Sequence, residues 1–254
     1  MNKNKTFILK DLLNDFETIS LNQLDKVKLL NRHDTKFVFN QIQLPFILEN
    51  IKPLYRILKI ENSCIFKYDN TYFDTNDFLF YNQHHNENRN RFKVRLRKYS
   101  SSSDPFFEIK IKNNKNRTVK KRLKVDDFNK QIGEKEEQLI SEVIGLSPNQ
   151  LTPSLDIQFY RITLTDKNFS ERLTIDTNIC TLNGSISSLF DQLVISEIKQ
   201  EKYNCKSDFI KILRNFKIPE MRFSKYCMGM LNIYKEIKYN RFKPKLLEIN
   251  KISA

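Results

Sequence analysis

The 254 residues carry 44 lysines and arginines against 30 aspartates and glutamates, a formal net charge of +14, so the expected partners are anionic: nucleic acid, a membrane surface or a phosphorylated metabolite. No segment comes near the roughly eighteen consecutive apolar residues of a membrane span, and residues 1–11 lack the apolar run of a signal peptide, so the expectation is a cytoplasmic protein without membrane insertion. Four glycines without a glycine-rich phosphate loop, and four cysteines (Cys64, Cys180, Cys205 and Cys227) without C-x-x-C spacing, argue against the common nucleotide cradles, a structural zinc site and a disulfide framework.

In chain order, strand patterns are predicted over 34–39, 64–74, 90–99, 105–112 and 117–125, with short polar loops at 100–104 and 113–116 reading as hairpin connections. A helix follows, marked by Leu139, Ile140, Val143 and Ile144 and ending near Gly145. Further strands are predicted over 155–164, 171–177 and 192–199. Phe209, Ile212, Leu213 and Phe216 then mark an amphipathic helix behind a Ser207 or Asp208 cap. Another helix opens at Ser224 and Lys225 and runs through Tyr234, with Met228, Leu231 and Tyr234 on its buried side. Residues 1–234 read as one domain. The basic segment 235–254 carries Pro244 without clear periodicity, and its last dozen residues are expected to form a loose tail.

Side chains alternate faces along a strand, so in Arg91-Phe92-Lys93-Val94-Arg95-Leu96-Arg97 the four cations share one face and the three apolar residues the other. The same holds for Glu108, Lys110 and Lys112 against Phe107, Ile109 and Ile111, and for Lys120, Arg122 and Lys124 against Val119, Leu123 and Val125. Arg172, Thr174 and Asp176 oppose Leu173 and Ile175; Glu197 and Lys199 share a face, as do Arg32, Asp34 and Lys36 if the first strand begins early. A half-solvated antiparallel sheet produces this pattern too. A nucleic-acid surface fits the charge, but such surfaces interleave stacking aromatics or present a recognition helix, and here Phe92 and Phe107 lie on the apolar side. The third arrangement is an eight-stranded barrel with helices outside and charged faces inward, in which arginine and lysine neutralise phosphate oxygens while carboxylates hold a divalent metal. The near-pure charge of the polar faces favours it.

In order along the chain stand Arg32-His33-Asp34-Thr35-Lys36, Tyr72-Phe73-Asp74-Thr75, Arg95-Leu96-Arg97-Lys98-Tyr99, Glu108-Ile109-Lys110, Thr118-Val119-Lys120-Lys121-Arg122, Tyr160-Arg161, Leu173-Thr174-Ile175-Asp176, Ser196-Glu197-Ile198-Lys199 and Ser224-Lys225-Tyr226. In these pieces the chain resembles the catalytic domain of the vacuolar transporter chaperone (VTC) family, the polyphosphate polymerase branch of the triphosphate tunnel metalloenzymes, also called CYTH-like. The resemblance implies an α+β fold built on an eight-stranded antiparallel barrel, a tunnel with flanking helices. It implies ATP or another nucleoside triphosphate and inorganic polyphosphate as partners, Mn2+ or Mg2+ as cofactor, and no nucleic acid. By motif, Lys36, Arg95, Arg97, Lys110, Lys120, Arg161 and Lys225 form the expected catalytic set, and Arg32, Arg122, Ser224 and Lys199 add substrate contacts. Glu197 is the expected metal ligand, and Glu108 either orients its basic neighbours or helps to hold metal. Asp34 replaces the glutamate expected there. A tunnel triphosphatase using water as acceptor, and a binding module without turnover, remain alternatives.

Other residues read as structural. Ser224 fits an N-cap as well as a phosphate contact. His84-His85 falls in a polar stretch expected to be a solvated loop, and adjacent histidines seldom share one ion. His33 faces away from Arg32 and Asp34. Asp74 and Asp77 lack calcium-loop spacing and read as a strand end and helix cap.

Overall fold

The apolar halves of the alternating strands set the architecture. The computed structural model describes residues 11–25, 27, 32–114, 118–190 and 192–253. Its strands are β1 (Thr18–Ile19), β2 (His33–Asn40), β3 (Tyr55–Leu58), β4 (Phe66–Asp74), β5 (Arg91–Tyr99), β6 (Ser102–Lys112), β7 (Thr118–Lys124), β8 (Thr152–Asp166), β9 (Glu171–Asn183), β10 (Ile186–Phe190) and β11 (Leu193–Gln200). The helices are α1 (Leu21–Leu24), α2 (Leu44–Ile51), α3 (Leu79–His85), α4 (Glu134–Ile144), α5 (Asp208–Asn215), α6 (Lys225–Ile233) and α7 (Lys243–Ser253).

One antiparallel path runs β2-β11-β9-β8-β4-β5-β6-β7, and its members are the strands predicted from alternation. The short strands β10, β3 and β1 attach beside it, β1 in parallel to β3. The expected closed barrel is not observed: among the described residues β2 and β7 are not paired, so the sheet is open. The reason lies in β7, which is exposed along nearly its whole length and carries charge on both faces at Lys120, Lys121 and Arg122. Little apolar area is gained by closing that seam.

Two apolar layers cover the convex face. In the first, α2 and α5 bring Ile47, Leu48, Phe209 and Leu213 onto Phe37, Phe39, Leu164 and Ile175. The second sets Phe80 of α3 and Ile140 of α4 against Phe73, Val94, Leu96, Phe107 and Ile109. Each such side chain taken fully out of water contributes about 1.5–3 kcal/mol. As predicted, α4 stops at Gly145, whose φ of 74° is left-handed. Helix α3 starts where the Asp74 carboxylate accepts the Phe80 and Tyr81 N–H groups, the cap expected of that residue.

The opposite, concave face is charged at one end and apolar at the other. At the apolar end α6 inserts Tyr226, Met228, Met230 and Ile233 against Val38, Tyr72, Leu155, Ile157 and Ile195. Gly229 permits the approach: a Cβ there would lie 2.8 Å from both Leu155 Cδ2 and Thr181 Cγ2.

Two expectations are corrected here. The loose tail is helix α7, which buries Ile249, packs Leu246 and Ile252 against the α6 cluster, and takes a 2.7 Å hydrogen bond from Asn40 Nδ2 to the Ile252 carbonyl. Pro244 sits in its first turn, where a missing N–H costs nothing. His84 and His85 lie on α3 rather than in a loop, with His85 buried against Tyr81 and Phe242.

Candidate functional site

Register places the charges. Across β2 and β11, Lys36 stands opposite Glu197 and Asp34 opposite Lys199. Arg161 of β8 faces Asp176 of β9. On the other limb Arg95 faces Glu108, Glu108 faces Arg122, and Lys93, Lys110 and Lys120 form one row across β5, β6 and β7. The limbs curl toward each other: Lys110 on β6 is an electrostatic neighbour of Asp34 and Lys36 on β2. The N-terminus of α6 bridges the concavity, with Ser224 Oγ accepting from Lys93 Nζ on β5 at 3.0 Å and Lys225 Nζ paired to Asp176 on β9.

Three carboxylate knots brace this face. Asp176, 3 % exposed, accepts from Arg161 Nε at 2.6 Å and Nη2 at 2.8 Å as well as from Lys225. Burial alone would raise its pKa, but Arg161 and Lys225 hold it far below the usual carboxylate range. Glu108, 2 % exposed, takes Arg95 Nε at 2.8 Å, Lys120 Nζ at 3.2 Å and Arg122 Nε at 3.6 Å. Its burial is likewise outweighed by Arg95, Arg97 and Lys120, and its pKa falls to about 2. In the third knot Glu197 pairs with Lys36 at 3.2 Å and with Lys199, which also reaches Asp34 at 3.5 Å.

Other cations on this face make no direct ion pair among the described residues. Arg97 is buried, donates to Asn70 Oδ1 at 2.6 Å and lies over the Tyr68 and Tyr99 rings. Lys93 has only the Ser224 hydroxyl, and Lys110 and Arg172 make no ion pair among the described residues. Lys110 is exposed to solvent. Desolvation by the surrounding protein, then the charges of Lys93 and Lys36, lowers its pKa to about 8. Lys225 is lowered to about 8 as well, by burial first, with Asp176 only partly restoring it.

Of the residues predicted from sequence, Lys36, Arg95, Arg97, Lys110, Arg161, Lys199, Lys225, Glu108 and Glu197 are brought to the concave face. Lys120 and Arg122 stand at its edge on exposed β7, and Arg32 lies at the rim, 3.0 Å from Asp34. Ser224 is the N-cap of α6, its Oγ accepting the Cys227 N–H at 3.2 Å. Sequence reasoning missed Lys93 and Arg172 as site residues, although both stood on charged faces by alternation. It also gave no binding role to Asp176, the brace of Arg161 and Lys225.

Among the described residues no three His, Cys, Asp or Glu side chains group to hold a metal. Glu108, Glu197 and Asp34 are all paired with cations, but Glu108 is 2 % exposed and meets three of them, which suits the orienting role, whereas Glu197 and Asp34 are 18 % and 23 % exposed. Glu197 and Asp34 are hard oxygen donors at the partly open end of the face. They fit a divalent cation of the kind that takes one or two carboxylates and completes its shell with phosphate oxygens and water. No helix of the described residues is long and apolar enough to cross a membrane.

A protein of known structure from Hippeastrum, HpAC1, described as having a dominant triphosphatase activity, shares the fold at a TM-score of 0.53 and 14 % identity, covering 78 % of this chain and 94 % of its own. A candidate adenylate cyclase from Bacillus halodurans aligns with a TM-score of 0.49 and 13 % identity over 76 % of this chain and 94 % of its own. No curated protein matches the sequence. The family model described as the VTC domain matches residues 31–234, which span every strand of the eight-strand path and the α6 N-terminus that bridges it, so this chain is a member of the VTC domain family.

Proposed function

We propose that the concave face binds a nucleoside triphosphate by its phosphates and transfers the terminal phosphoryl group to the end of an inorganic polyphosphate chain. The observation that carries this reading is the set of cations that make no direct ion pair among the described residues, Lys93, Arg97, Lys110 and Arg172, on the same face as three braced ion-pair knots. Uncompensated charge in a confined space costs stability unless an anion supplies the missing partner. Phosphates do so with several oxygens at once.

In the proposed step an oxygen of the terminal phosphate of the acceptor chain attacks the γ-phosphorus, the bond from that phosphorus to the β–γ bridging oxygen breaks, and the nucleoside diphosphate leaves with the electron pair. Phosphoryl transfer needs positioning and charge stabilisation, so no side-chain nucleophile is required. Lys36, Lys110 and Lys225 would hold donor oxygens, and Arg95, Arg97 and Arg161, fixed by Glu108, Asn70 and Asp176, would keep rigid forks aimed at the transferring group. Mn2+ or Mg2+ held by Glu197 and Asp34 would supply further neutralisation of the phosphate charge.

A second reading, favoured by the Hippeastrum fold relative with its dominant triphosphatase activity, keeps the same cage and delivers the phosphoryl group to water. Incubating purified protein with ATP and Mn2+ or Mg2+ and resolving products on a gel stained for polyphosphate separates the two. Long chains support the polymerase, phosphate release alone selects the hydrolase, and no turnover with either metal sinks both.

A further inference from the structure

Among the short motifs of the sequence, Tyr72-Phe73-Asp74-Thr75 carries no cation, and yet its tyrosine stands among the cations of the concave face. Tyr72 and Phe73 of β4 part to opposite sides of the sheet. Phe73 joins Phe107 in the convex apolar layer, and Tyr72 lies across the strand pair from Arg95. The Tyr72 ring stacks on that of Tyr226 of α6 at 5.0 Å and 23°. The Tyr226 hydroxyl is in turn tied to the Asp74 carboxylate, which also accepts the Phe80 and Tyr81 N–H groups at the start of α3. Strand β4 and helices α3 and α6 therefore fix the ring together, and Tyr72 is 7 % exposed.

The phenol oxygen accepts from Arg95 Nη1 at 3.3 Å, and its own proton meets no acceptor among the described residues. The charges that act on it are those of Arg95, Arg97 and Lys93, and Lys225 is an electrostatic neighbour as well. Guanidinium and ammonium groups donate and never accept. Glu108 has its oxygens engaged by Arg95 and Lys120, and Asp74 is filled by Tyr226 and three backbone N–H groups. A donor enclosed by donors is left with an unmet bond that only an incoming acceptor supplies. Burial alone would raise the pKa of this phenol, but Arg95, Arg97 and Lys93 outweigh it and bring it below the ordinary value, which makes the hydroxyl a stronger donor.

We propose that the Tyr72 hydroxyl is a substrate contact of the central face, donating a hydrogen bond to a non-bridging oxygen of the phosphoryl group that Arg95 and Arg97 hold. A neutral donor suits this position. A further lysine or arginine would add to the repulsion among Lys93, Arg95 and Arg97, whereas a phenol adds a contact without adding charge. Because the ring is held by Tyr226, the hydroxyl adds a third fixed direction to the two guanidinium forks at little cost in ordering. This inference rests on the reading that the central face takes phosphoanhydrides.

The test is equilibrium binding of tripolyphosphate to the full chain, to Tyr72→Phe, and to a second variant with 4-aminophenylalanine at position 72, with thermal unfolding to verify the fold. The first variant keeps the stacked ring and removes the hydroxyl. The aromatic amine restores an N–H donor but is a poor acceptor for Arg95. The expected result is an affinity lowered about ten-fold in Tyr72→Phe and restored to within about two-fold by the amine, with unfolding midpoints close to that of the unaltered chain. No loss in Tyr72→Phe overturns the contact. A loss that the amine fails to restore overturns it too, since the hydroxyl then serves only to hold Arg95. Where Tyr72→Phe lowers the unfolding midpoint, the amine variant decides alone: retained affinity supports donation and lost affinity overturns it. Failure of the unaltered chain to bind tripolyphosphate overturns the central reading instead.

Discussion

Asp176 and Lys110 lie on the same concave face and differ in how their charge is met. Around Asp176 every formal charge has a partner: Arg161 grips it with two nitrogens, Lys225 adds a third contact, and all three side chains are 16 % exposed or less. Around Lys110 the neighbours in register are Lys93 and Lys120, and among the described residues no carboxylate makes an ion pair with it. The first arrangement holds helix α6 to the sheet. The second leaves charge for a ligand to meet, so Asp176 is read as the frame that holds Arg161 and Lys225 in place, and Lys110 as binding capacity without such a frame.

The sharpest way to break this contrast is Asp176→Ala. Removing one partner strands two buried cations, so unfolding by denaturant should show a loss of about 3–5 kcal/mol; a stable variant would mean that Asp176 is not the frame. Next in size, Lys110→Ala should lower kcat/KM for nucleoside triphosphate about 100-fold, worth ~2.7 kcal/mol in the transition state, while leaving the unfolding midpoint no lower. A fall in both would place Lys110 in the frame. Gly229→Ala drives a methyl group into Leu155 and Thr181 and should cost about 1–3 kcal/mol. Because α6 carries Lys225, this variant should also weaken tripolyphosphate binding if the helix shifts.

The smallest effect is the pH response. Lys110 and Lys225 titrate near 8 in the folded chain against about 10.5 in the unfolded one. Between those values the unfolded chain binds more protons, so their contribution makes stability rise with pH from about 8 toward 10.5. The ligand requires the protonated lysines, so tripolyphosphate affinity should fall several-fold from about pH 7 to pH 9. Opposite slopes in thermal unfolding and in binding would sharpen the contrast, and parallel slopes would break it.

Much of the sheet was legible because β5, β6 and β11 alternate charge and apolar bulk with a period of two, a strong local signal. The four-residue β3 and the two-residue β1 were not, since neither is long enough to show a period. Helix α7 was misread because Pro244 looked like a breaker when it stands in the first turn. The charged residues were visible as a set, but their division into paired and unpaired groups was not. That division depends on which strands become neighbours and how far the sheet curls, and both are long-range properties. Glu108 illustrates the loss: its motif shows a carboxylate, and only the register shows three cations sharing it.

The like-charged row of Lys93, Lys110 and Lys120 across three adjacent strands also bears on how this sheet could be improved. Like charges directly opposite one another weaken a strand pair, so a single carboxylate in the middle position would strengthen the free protein. Lys110→Glu would supply that carboxylate and remove an anion contact with the same atoms. Stability and ligand capture compete at this position, and a screen for thermostability alone would select toward an inert chain.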